Sequence, residues 1–66
     1  MEQPTARSLV LDLLSTVGRG AMPVRALVGA AGLFGIAENS LRVALARLLA
    51  AGLIERDERG QYRPGP

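Results

Sequence analysis

Three short stripes of leucine, valine and alanine, each cut off by glycine, constrain this chain more than any other feature. Leu9, Val10, Leu13, Leu14 and Val17 recur at helical spacing. Val24, Leu27, Val28, Ala31 and Phe34 form a second stripe, and Leu41, Ala44, Leu45, Leu48 and Leu49 a third. Each stripe gives a helix one broad apolar face. The chain has 66 residues, enough for one domain. A domain this small buries only about 60% of the surface its unfolded form exposes, so its stability is marginal.

Punctuation sets the helix boundaries. Thr5 is a suitable N-cap for a first helix running to about Val17, where Gly18-Arg19-Gly20 opens a loop. Pro23 suits the first position of a second helix. That helix ends at Gly32 or runs through to Phe34, with Gly35 as its left-handed terminal residue. The longer form is preferred because it puts Phe34 on the buried face. Gly35-Ile36-Ala37 is then a three-residue turn, and a third helix spans 38–51, stopped by Gly52. Ala37 is a poor cap, costing about 1 kcal/mol against Ser or Asn. A start nearer Asn39 or Ser40 is the alternative.

Beyond Gly52 the period changes. Leu53-Ile54-Glu55-Arg56 reads as a strand, Asp57-Glu58-Arg59-Gly60 as a turn, and Gln61-Tyr62-Arg63 as the returning strand. Two such strands are unstable alone, so Ile54 and Tyr62 must pack on the helices. Pro64-Gly65-Pro66 is expected to continue neither strand nor helix. The expected organisation is one domain over 1–63, with 64–66 a linker stub leading to further domains.

The inventory excludes much chemistry. There is no cysteine and no histidine, which removes disulfides, thiolate zinc sites, and Ser-His or Cys-His catalysis. No placement of the six carboxylates suggests acid/base work, so no catalytic residue, metal or cofactor is expected. Phe34 and Tyr62 are the only aromatics, too few to stack successive single-stranded bases. The longest uncharged run, Ala26 to Ala37, has twelve residues, short of the roughly 18 a membrane span needs. With no basic, apolar leader in view, the expected location is the cytoplasm. All eight basic residues are arginine, and a net charge of +2 permits nucleic-acid binding without demanding it.

Helix, helix, short glycine-containing turn, helix and hairpin make a mainly α winged helix-turn-helix, three helices with a C-terminal two-stranded wing. In such a unit the helix after the turn enters the major groove of double-stranded DNA. Arg42-Val43-Ala44-Leu45-Ala46-Arg47-Leu48-Leu49, preceded by Phe34-Gly35-Ile36 and followed by Ala51-Gly52-Leu53-Ile54-Glu55-Arg56, resembles the N-terminal winged-helix domain of the PaaX-like regulators. These are bacterial repressors of phenylacetic acid degradation. The resemblance covers the chain from Thr5 to Arg63 and implies DNA binding and repression. It also implies a homodimer in the full-length protein and an aryl-acyl-CoA effector on domains this chain does not contain.

The side of the third helix opposite its leucines carries Asn39, Val43, Ala46 and Ala50, flanked by Arg42 and Arg47. Arg42 is placed to reach a guanine or a phosphate, or else to pair with Glu38 one turn back. Arg47 suits a backbone phosphate or plain solvation. Asn39 and Ser40 stand where recognition helices meet base edges, or serve as caps. Arg25 and Arg7 oppose the dipoles of their own helices, and Arg25 is the better candidate for a phosphate. Arg59 at the wing tip suits a minor groove, though Asp57 and Glu58 beside it repel phosphate. Leu33 falls off the buried stripe and suits either the core at the turn or a partner contact. The competing function is a winged helix used for protein contacts, with Val43, Ala46, Ala50 and Leu33 as its docking face.

Overall fold

The structure is a computed structural model and describes residues 5–16 and 21–65. In chain order it comprises α1 (Ala6–Thr16), β1 (Met22–Pro23), α2 (Val24–Leu33), α3 (Glu38–Ala50), β2 (Ile54–Arg56) and β3 (Gln61–Pro64). Val17 and the Gly18-Arg19-Gly20 loop lie outside the described residues. The three helices with a small sheet are the winged helix the stripes predict.

The stripes converge on one core. Leu9, Val10 and Leu14 of α1 meet Leu27 and Ala31 of α2 and Leu41, Leu45 and Leu48 of α3. Ile54 and Tyr62 seal it from the wing. Each buried aliphatic side chain of this size is worth about 1.5–3 kcal/mol, so the helices hold together through these contacts rather than through propensity. Among the described residues no charged or polar side chain is buried.

Both α2 and α3 end in the same way. At α2, Gly35 takes φ 75°, Gly35 N–H donates to Gly32 O at 3.1 Å, and Ile36 N–H reaches back to Ala31 O at 2.9 Å. At α3, Gly52 takes φ 75°, its N–H donates to Leu49 O at 3.1 Å, and Leu53 N–H to Leu48 O at 3.0 Å. These paired bonds satisfy carbonyls the helices would otherwise leave open, and a positive φ is why glycine stands at each place.

Several expectations need correction. Phe34 is not on the buried face: α2 stops at Leu33, Phe34 becomes its C-cap, and the ring is 43% exposed. Ile36, pulled back by its bond to Ala31, takes the place against the core. Leu33 does not join the core at the turn; it is 87% exposed. Pro23 is the N-cap of α2 rather than its first helical residue, and it belongs to a strand. α3 ends at Ala50 with Ala51 as its cap, one residue short of the expected span.

The wing has three strands rather than two, in the order β1-β3-β2, all antiparallel. Met22 faces Tyr62 and Pro23 faces Gln61. Pro64, expected outside the strand, is its last residue and pairs with Ile54. It is tolerated against β2 because the ladder bond at this end of the pair is donated by its neighbour Gly65, and none is asked of the missing N–H. Next to it, Gly65 N–H donates to Leu53 O at 2.9 Å, and a Cβ at Gly65 would collide with the carbonyl oxygen of Gly52.

Candidate nucleic-acid interface

The outer face of α3 is exposed throughout. Asn39, Ser40, Arg42, Val43, Ala46, Arg47 and Ala50 all face solvent, while Leu41, Ala44, Leu45 and Leu48 are buried behind them. The helix is therefore fixed from one side by leucines and presents small or polar groups on the other. Arg42 is 54% exposed and its Nε donates to Glu38 Oε2 at 2.8 Å, the i,i+4 pair that the spacing allows. Arg47, in the last turn, has no carboxylate within ion-pair distance among the described residues.

The start of α3 is bare. Ala37 is its N-cap and makes no side-chain capping bond, so the alternative start at Asn39 or Ser40 does not occur. Neither Asn39 nor Ser40 makes a side-chain hydrogen bond among the described residues. Their polar groups and the first amides of the helix, near its positive pole, remain available to an acceptor from outside.

Four of the singled-out residues, Asn39, Ser40, Val43 and Arg47, gather around an open groove of about 500 Å³. Its other wall is the first turn of α1, Thr5, Ala6 and Arg7, and its floor includes Leu48 and Leu53. Arg7 thus stands across the groove from α3, although sequence reasoning ranks it below Arg25. The signal available in the sequence is its position against the α1 dipole, which does not say what lies opposite. Among the described residues, Arg7 and Arg47 are the groove's only charged lining residues. Arg42 lies beside it on the helix and does not line it.

Arg25 and Arg59 are exposed but stand apart from the groove. Arg25 is in the first turn of α2, which holds no acidic residue. Arg59 lies at the wing tip with Asp57 and Glu58. There Asp57 Oδ1 accepts from the backbone N–H groups of Arg59 at 2.8 Å and Gln61 at 3.0 Å. The Gln61 bond foremost, then the Arg59 bond and the nearby Arg63 and Arg59 charges, holds the Asp57 carboxyl below its ordinary pKa. Asp57 therefore builds the turn and stays ionised in it. On the outer face of the sheet Arg63 lies 3.9 Å from Glu55, across the β2–β3 ladder.

Among the described residues, no helix is long and apolar enough to cross a membrane. No curated protein and no solved structure matches the chain. One family does: residues 5–64 match the family described as PaaX-like protein. The match runs from the cap of α1 to the last residue of β3, taking in every helix, the turn and the wing, and the chain accordingly belongs to the PaaX-like family, a family of regulators.

Proposed function

We propose that this chain is the DNA-binding domain of a bacterial transcriptional regulator, a repressor by its family, acting in the cytoplasm. It sets α3 in the major groove of double-stranded DNA. The observation that carries this is the outer face of α3: slim, exposed, edged by Arg42 and Arg47, and anchored from behind by buried leucines. Duplex phosphates supply most of the affinity, through Arg25, Arg47 and Arg7, while Asn39, Ser40, Arg42 and Val43 face base edges. Arg59 reaches the minor groove from the wing. One copy of this domain makes few contacts, so firm binding needs two copies on two half-sites, and an effector acts on a part of the regulator other than this winged helix.

Binding to a mixed-sequence duplex across a salt series tests this. Affinity should fall linearly on logarithmic axes, and Arg25→Ala should flatten the slope by about one unit while weakening all sequences alike. Affinity indifferent to salt would sink the proposal. It would favour the second reading, a protein-contact module, to which the exposed neighbours Leu33 and Phe34 lend support.

A further inference from the structure

The Glu38–Arg42 pair looks at first like a competitor of DNA binding, since it occupies the arginine best placed to read a base. Its geometry says otherwise. The bond runs from Nε alone, at 2.8 Å, and Arg42 makes no other side-chain hydrogen bond among the described residues. A guanidinium carries five N–H donors in a rigid planar fork. Held through Nε on the side of the fork, it leaves the end-on pair, one N–H from each terminal amino group, directed away from the carboxylate. That end-on pair matches the O6 and N7 acceptors of guanine in the major groove. Arg42 lies one turn into α3, near the end where recognition helices meet base edges.

We infer that Glu38 is a positioning residue for base recognition: it fixes the Arg42 guanidinium by Nε so that its free end reads a guanine. This rests on the DNA-binding reading above and adds to it both a residue and a base. Glu38 touches no base in this scheme. Its negative charge also repels phosphate, so it lowers affinity for DNA at large while raising discrimination at one position. A carboxylate serving only the α3 dipole would repel phosphate in the same way but would not raise discrimination at one position.

The test is selection by the whole chain from a duplex pool randomised over about 20 base pairs, two turns of DNA. The selected duplex is then competed against its single-pair variants. Wild type should recover a motif with one guanine whose preference collapses about tenfold or more in Arg42→Ala. In Glu38→Ala that same preference should fall about twofold or more, the order of what an exposed i,i+4 pair supplies. Affinity for mixed-sequence duplex should not fall. Glu38→Gln, which keeps an acceptor for Nε, should restore the preference. An unchanged preference in Glu38→Ala, or an equal loss at every position, overturns the inference and leaves DNA binding standing. A wild-type chain that recovers no motif and binds without salt dependence overturns both.

Discussion

The first and third helices begin in opposite ways. At α1, Thr5 and Ser8 close on each other. Ser8 N–H donates to Thr5 Oγ1 at 3.1 Å, and Thr5 N–H donates to Ser8 Oγ at 3.0 Å. This is a reciprocal capping box with serine in the place usually held by glutamate. At α3 the corresponding place is held by Ala37, and no side chain closes the end. The only local compensation is Glu38, whose charge suits the helix's positive pole. A helix that is capped needs nothing from outside. One left open carries a standing cost of about 1 kcal/mol, which an incoming acceptor can relieve. The two starts also flank one groove, so the self-sufficient end forms a wall and the open end a receiving surface.

The largest expected effect comes from undoing what holds the open end in place. Leu41 is fully buried one turn into α3. Leu41→Ala should cost about 2–5 kcal/mol, enough to unfold much of a marginal domain, as thermal melting followed by circular dichroism would read. A melt like wild type's would mean that α3 is held some other way. Next come the caps themselves. Thr5→Ala should lower stability by about 1 kcal/mol and Ala37→Ser should raise it by a similar amount. For a domain this size each shifts Tm by roughly 4–8 °C. The pair sharpens the contrast, because Ala37→Ser should weaken DNA binding more than Thr5→Ala weakens that of the folded fraction. Equal effects of both on binding would erase the distinction between the two starts.

The smallest effect lies in the wing, a region unlike either helix start because its turn is closed by a charge. The Asp57 carboxyl is lowered by its backbone hydrogen bonds, so its ionised form favours the folded turn. That contribution is present above the ordinary aspartate pKa and is lost as pH falls through the lowered one. In an acid titration followed by NMR, the Arg59 and Gln61 amides should move with a midpoint below that of an unstructured aspartate. The movement should vanish in Asp57→Ala. A midpoint at or above the free value would contradict the hydrogen-bonded turn.

Most of this architecture is legible in the residues. Leucine spacing marks the helices, and Gly35 and Gly52 mark their ends because a positive φ is cheap for glycine alone. The exposed face of α3 comes from the same periodicity. What is not legible depends on contacts distant in the chain. Met22-Pro23 has no strand period and becomes a strand only because β3 arrives beside it from nearly 40 residues away. Phe34 falls on the buried stripe by angle, but the chain leaves the helix before reaching it, and an extrapolated angle carries no information about that exit. Arg7 acquires meaning only when α1 is laid against α3, which no local pattern reveals. The i,i+4 spacing announces the Glu38–Arg42 pair but not which nitrogen it engages.

Gly65 sits hard against Gly52, with no room for a side chain between them, and its amide is fastened to Leu53. The polypeptide therefore departs from the foot of the very helix proposed to enter the groove. A side chain added at Gly65 would press first on the residues that close α3.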